Sequence, residues 1–252
     1  MSQEKRIELI KQLLEERQEL STKDIMQEFG ISQDTARRDI VLLAKRGEVR
    51  RTHGGILPLD FGRSVPNFQS RLARFTKQKT QIALAAATYF KPHHVYFVDS
   101  STILLKTCQN INMPLTIVTH SLDNCMALAE HNKVRVKVLS GTLNHENRYF
   151  YSNLAIEELQ NVVFDTAFIA ASGIDENGAY LLDQDDAQIV GMAVKRARKV
   201  ILVAEHQKFI NKSYYRICPL DKISLFITDQ APTPEQHAMF APETEIIVTK
   251  EA

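Results

Sequence analysis

After residue 76 the chain is punctuated by seven short apolar-rich runs, at 95–99, 116–119, 134–139, 166–171, 200–204, 225–228 and 246–249. Most are unbroken rather than alternating, as expected of strands covered on both faces. Helical patterns fill the gaps, around 77–90, 102–110, 122–131, 153–161 and 186–198. Strands that alternate with helices build a mostly parallel sheet with helices on both sides. This region is therefore expected to be a single α/β domain over 76–252. No internal repeat is present.

The first 57 residues follow a different pattern. Ile7, Ile10, Leu13 and Leu14 recur at helical spacing between charges. Ser21 is a helix cap, with Asp24 three residues on as its capping-box partner. Ile25, Met26 and Phe29 belong to that helix, and Gly30 is suited to end it. Ser32 caps a third helix, whose Ala36, Ile40, Leu43 and Ala44 face inward, and Gly47 ends it. Val49, Arg51 and His53 then alternate before the tight turn at Gly54-Gly55. The order is helix, helix-turn-helix and a small β-wing, a DNA-binding domain over 1–57. Residues 58–75, with Pro58, Gly62 and Pro66, are expected to be a linker with little structure of its own.

Composition narrows the function classes. The chain has 31 Lys and Arg against 30 Asp and Glu, a formal charge of +1. That balance excludes a uniformly basic nucleic-acid coat but leaves room for a local basic patch. The three cysteines, Cys108, Cys125 and Cys218, form no Cys-x-x-Cys pair and supply no disulfide or zinc framework. The charged start Glu4-Lys5-Arg6 is unlike a signal peptide, and the apolar-rich stretch 82–90 falls far short of a membrane span. A soluble cytoplasmic protein is expected. His93-His94 has no acid or thiol cluster beside it, so no metal ion is expected, nor any cofactor.

Residues 20–39 carry the strongest functional signal. In a helix-turn-helix the second helix enters the major groove and presents its first turn to base edges. Those positions are Ser32, Gln33, Asp34 and Thr35, with Arg37 and Arg38 one turn on, suited to phosphate or guanine. Between 33 and 53 six basic residues stand against three acidic ones, a local excess of +3. Positive charge is thus concentrated where a duplex would dock.

The string Ser32-Gln33-Asp34-Thr35-Ala36-Arg37-Arg38-Asp39-Ile40, then Leu43, then Arg51-Thr52-His53-Gly54-Gly55, closely resembles the DeoR family of bacterial transcriptional regulators. The family pattern is Ser-x-x-Thr-(Ile/Val)-Arg-Arg-Asp-Leu followed by Arg-x-His-Gly-Gly. Ala36 and Ile40 are mild departures. The resemblance covers essentially the whole chain. It implies double-stranded operator DNA as partner, with Arg51, His53 and Gly54 joining the recognition helix in the contact. It also implies a second domain, similar to ribose-phosphate isomerases and CoA transferases, that binds a sugar phosphate or related metabolite.

The family's Asp-x-Gly-Thr-Thr, which follows a strand and opens a helix, corresponds to Asp99-Ser100-Ser101-Thr102-Ile103. Ser101 stands for the glycine, and Ile103 replaces a hydroxyl. The family's Thr-Asn-Ser is Thr119-His120-Ser121, and its Gly-Gly is Ser140-Gly141. Ala171-Ser172-Gly173-Ile174-Asp175 matches well. The family's Glu-x-x-Val-Lys-Arg is Asp186-Ala187-Gln188-Ile189-Val190-Gly191, without the basic pair. Lys208, in a stretch similar to Ala-Asp-x-Ser-Lys-Phe, survives as a phosphate partner. The resemblance thus implies an effector site of Asp99, Ser100, Ser101, Thr102, His120, Gly141, Ser172, Gly173 and Lys208. Its departures point to an altered ligand.

The leading expectation is a repressor of a carbohydrate-use operon, released by a sugar phosphate and working as a homo-oligomer, dimer or tetramer. One rival is a sugar-phosphate-processing enzyme using Asp99, Asp186 and Lys208. Against it, no motif pairs a nucleophile with a base, so no catalytic residue is assigned. The other rival is a constitutive repressor whose sensor site has decayed.

Overall fold

The computed structural model describes residues 2–17, 20–52, 54–58 and 68–249. The chain divides into two compact units, Met1–Ser64 and Val65–Ala252.

The first unit runs α1 (Gln3–Arg17), β1 (Leu20–Ser21), α2 (Thr22–Phe29), α3 (Gln33–Lys45), β2 (Val49–Arg51) and β3 (Gly55–Pro58). The Ser21 hydroxyl accepts from the Asp24 amide, and the Asp24 carboxylate accepts from the Ser21 amide at 2.8 Å, closing the capping box. Gly30 ends α2 in the left-handed conformation, φ 60°. Ser32 caps α3 through the Thr35 amide. Ile7, Ile10, Ile25, Ala36, Ile40 and Leu43 close one core, against which Ala44 is partly buried. The wing is a three-stranded sheet of order β1-β3-β2. Gly55 lies so close to β1 that a Cβ there would come within 2.0 Å of the Leu20 carbonyl oxygen. Only glycine allows this strand pairing.

The second unit begins with α4 (Phe68–Ala73) and α5 (Lys77–Ala87). Helix α4 falls inside the stretch expected to be unstructured linker. Phe68 is fully buried and its amide donates to the Glu146 carbonyl at 3.0 Å, so packing with a distant loop holds the helix. There follow β4 (Val95–Val98), α6 (Thr102–Cys108), β5 (Leu115–Thr119), α7 (Leu122–Ala129), β6 (Val134–Val138), β7 (Thr142–Asn144) and β8 (Tyr149–Tyr151). The chain continues through α8 (Asn153–Gln160), β9 (Thr166–Ala170), β10 (Gly173–Asp175), β11 (Gly178–Leu181), α9 (Gln184–Lys195) and β12 (Val200–Val203). It ends with β13 (Tyr215–Cys218), β14 (Leu225–Thr228), α10 (Pro234–His237) and β15 (Glu245–Val248).

All seven expected strands enter one sheet of order β15-β14-β12-β9-β4-β5-β6, and every pairing in it is parallel. Successive strand residues point to opposite faces. Phe97, Ile169 and Leu202 accordingly join one core with α8 and α9, while Tyr96, Val98, Phe168 and Ile201 join the other with α5 and α6. Two antiparallel additions, the β7-β8 hairpin and a β10-β11-β13 sheet, were not foreseen in the sequence. No helix among the described residues is long and apolar enough to cross a membrane.

Candidate functional site

Helix α3 presents one polar face. Ser32, Gln33, Asp34, Arg37 and Arg38 are exposed, and Thr35 is half-buried. The Ser32 and Thr35 hydroxyls lie 2.9 Å apart, and Ser32 also accepts from the Thr35 amide at 3.4 Å. Ser32 is therefore occupied as a cap, whereas Gln33 and Asp34 project freely. Arg37 and Arg38 form no ion pair or side-chain hydrogen bond with any described residue.

Asp39, the next residue, has the opposite fate. It is fully buried and accepts from Arg6 Nε at 2.6 Å, Arg6 Nη2 at 3.2 Å and Gln3 Nε2 at 2.9 Å. This contact ties α1 to α3 and fixes the roll of α3, so that its neighbours Arg37 and Arg38 face outward. Its hydrogen bonds to Asp39 hold the Arg6 guanidinium above its ordinary value. Glu48 is paired with Lys11 at 2.8 Å. Two of the three acids in the basic segment are thus neutralised within the unit. In the wing Arg51 and Gly54 are exposed. The Gly54 carbonyl accepts from the Thr22 amide at 2.8 Å, which fixes the turn against α2. His53 lies outside the described residues.

In the second unit a cleft of about 680 Å³, measured out to solvent, is lined by the turn after β4, by the start of α9 and by the segment after β12. Five of the expected effector residues line it: Ser100, Ser101, Thr102, Ser172 and Lys208. Ser101 Oγ is engaged as the cap of α6, accepting from the Leu104 amide at 3.0 Å. Ser100 Oγ donates to the Asn147 carbonyl at 3.3 Å.

Four expected residues do not line the cleft. Asp99 is fully buried behind it, with Oδ2 accepting from the Ala170 amide at 3.0 Å and Oδ1 from the Ser100 amide. Its role is to hold the turn after β4. Burial, followed by the neighbouring Asp186, pushes its carboxyl up to about 7. His120 is fully buried and stacked on Phe97 at 5.7 Å between ring centroids. Gly141 lies on the hairpin, where a Cβ would come within 2.1 Å of the Tyr151 carbonyl oxygen. Gly173 faces the Asn211 carbonyl, which a Cβ would approach to 2.5 Å. Both glycines serve close backbone packing.

The cleft also contains residues the sequence reading missed. Arg71 of α4 and Lys79 of α5 line it beside Lys208. Burial holds the Arg71 guanidinium below its ordinary value, and its Nε has no hydrogen-bond partner. Burial also lowers Lys79, whose Nζ lies 3.7 Å from Glu205, and pushes Lys208 down to about 8. A buried donor without an acceptor costs about 1–3 kcal/mol. Arg71 Nε is thus a donor left for a ligand, in a cleft lined by Arg71, Lys79 and Lys208 and by the acids Asp183, Asp186 and Glu205. Arg71 escaped notice because it sits in the supposed linker, and a lone arginine there carries no pattern.

Among the described residues, the atoms of Asp99, His120 and Asp186 are the ones close enough to hold a metal ion, all within 4.8 Å of one another. Those atoms already serve one another. His120 Nε2 donates to Asp186 Oδ1 at 2.7 Å and lies 3.7 Å from Asp99 Oδ1.

Residues 6–60 match the DeoR-like helix-turn-helix domain and residues 74–230 the DeoR C-terminal sensor domain. The HTH-type transcriptional repressor GlcR of Bacillus subtilis is 29% identical over 233 residues, covering 92% of this chain and 90% of that protein. A putative aga operon transcriptional repressor of Escherichia coli O157:H7 is 27% identical over 252 residues, covering 98% and 94%. The L-fucose operon activator of Haemophilus influenzae is 28% identical over 228 residues, covering 90% and 92%. Among solved structures, ribose 5-phosphate isomerase A of Methanocaldococcus jannaschii aligns over 52% of each chain at 13% identity and a TM-score of 0.37. With both halves matched and the exposed arginine pair on α3, the chain belongs to the DeoR family of transcriptional regulators and is a sequence-specific DNA-binding protein.

Proposed function

We propose that the protein represses a carbohydrate-use operon and leaves its operator when a phosphorylated sugar enters the cleft. The cleft cations Arg71, Lys79 and Lys208 carry the effector half of this reading, since a phosphate dianion would give Arg71 Nε the acceptor it lacks within reach of two lysines. In the first unit Gln33, Asp34, Arg37 and Arg38 read the major groove, and Arg51 and Gly54 approach the backbone beside it.

Operators are commonly near-symmetric, so the working unit is at least a dimer, acting in the cytoplasm where the chromosome is. A ligand shifts this equilibrium only by binding the released state better than the DNA-bound one. The test is anisotropy with DNA from upstream of the protein's own gene neighbourhood, against scrambled DNA, over a salt series. A preference of ~10³-fold or more, falling steeply with salt and reversed by a sugar phosphate, is expected. Equal weak binding to both DNAs would sink the operator reading. Specific binding that no phosphorylated metabolite changes would sink the effector reading alone. Transcription from the same promoter in the absence of the protein should rise, and a fall would make it an activator.

A further inference from the structure

The anion site accounts for one part of a ligand, and the acids of the cleft differ in what they leave for the rest. Asp183 is committed: Oδ1 accepts from the Asp185 amide at 3.2 Å and Oδ2 from Asn144 Nδ2 at 3.0 Å. Glu205 faces Lys79 Nζ at 3.7 Å. Asp186 gives Oδ1 to His120 at 2.7 Å, while its Oδ2 accepts no hydrogen bond from any described residue. The side chain is 10% exposed, and Asp186 lines the cleft. His120 cannot itself reach a ligand, being fully enclosed between Phe97 and Tyr149. It can hold the Asp186 carboxylate in one orientation, at the position where the family pattern has asparagine.

We propose that Asp186 is the specificity-determining residue of the cleft, accepting a hydroxyl or amine hydrogen from the effector away from its phosphate, and that His120 is its positioning residue. This rests on the reading of Arg71, Lys79 and Lys208 as a phosphate site. An ionised carboxylate only accepts, so the ligand must offer donors there. A second anion would face the Asp186 carboxylate. Two like charges ~5 Å apart in a partly buried site repel by roughly 3 kcal/mol. The effector class is therefore a monophosphate whose remainder is a neutral polyol or an amino sugar. Bisphosphates and phosphorylated sugar acids are disfavoured.

The test is calorimetry on the full chain with inorganic phosphate and with matched pairs of equal carbon count. Glucose 6-phosphate and glucosamine 6-phosphate are set against 6-phosphogluconate, and fructose 6-phosphate against fructose 1,6-bisphosphate. The native protein should bind the doubly anionic member at least ~10-fold more weakly in each pair. In Asp186→Asn that deficit should shrink below ~3-fold while inorganic phosphate binds as before. His120→Ala should erode the same ratio without changing phosphate affinity, which a purely structural role would not do. Equal or tighter binding of the doubly anionic ligands by the native protein overturns the proposal even if neither variant folds. An unchanged ratio in a folded Asp186→Asn overturns it as well. If phosphate binds without discrimination, only this inference falls. If neither phosphate nor any phosphorylated sugar binds, the phosphate-site reading falls and takes it along.

Discussion

On α3, Ser32, Gln33, Asp34, Arg37 and Arg38 follow one another within a single stretch and share one exposed helix. The cleft instead draws Arg71 from α4, Lys79 from α5, Ser100 to Thr102 from the junction of β4 and α6, Asp186 from α9 and Lys208 from beyond β12. The first arrangement needs only one correctly rolled helix. The second exists only once the sheet has formed. The energetic consequences run opposite ways. Arginines on an exposed helix cost the folded unit little, whereas the buried cations of the cleft are carried at a desolvation cost until an anion arrives.

The comparison can be broken first at Asp39, where the first unit does depend on a buried contact. Asp39→Ala strands Arg6 and should destabilise the winged-helix unit by roughly 3 kcal/mol, the lower end for a broken buried pair. DNA binding should be lost with it, while the melting of the α/β unit, followed by calorimetry, stays put. Loss of both transitions together would mean that the two units do not fold independently.

Arg37→Ala and Arg38→Ala should each weaken operator binding by about 2 kcal/mol with no change in melting temperature. If one contacts phosphate only, its variant should also lower the salt slope by about 1. Anisotropy over a salt series reads both effects. Native affinity in both variants would mean that α3 is not the reading helix.

Arg71→Met tests the other side. It should cost about 1.5 kcal/mol in phosphate affinity, measured by calorimetry, and leave DNA binding without effector unchanged. It should change the melting temperature little, because a desolvated guanidinium with one long hydrogen bond, 3.5 Å to Asn147 Oδ1, gives way to an apolar chain of similar reach. A clear fall in stability would make Arg71 structural.

The smallest expected effect is a pH dependence. Burial lowers Lys208 to about 8, so its charge is lost as pH rises through that value. Sulfate, which does not titrate in this range, should bind more weakly at pH 9 than at pH 7, by less than ~10-fold per unit. Lys208→Arg should flatten that profile. The same shift has a stability consequence. The unfolded lysine holds its proton to higher pH, so the Lys208 contribution to stability rises between about 8 and its ordinary value near 10.5.

Sequence alone determined the elements whose causes are local. The Ser21–Asp24 box, the Ser32 cap and the left-handed Gly30 were legible because each involves residues within a few positions of one another. The apolar runs gave the inner strands because burial on both faces leaves an unbroken apolar signature, whereas β6 at the sheet edge alternates, with Arg135 and Lys137 exposed. Tertiary structure decided the rest. Asp39 reads like its arginine neighbours, and only packing against Arg6 turns it inward. Arg71 sits on a six-residue helix held by a loop some 75 positions further along the chain, with Phe68 donating to Glu146. His120 and Gly141 occupy positions of the family pattern, yet one is enclosed under the cleft and the other packs against a strand. Local pattern records hydrogen-bonding and periodic preferences. Which side chains meet at a cleft depends on how strands far apart in sequence lie side by side.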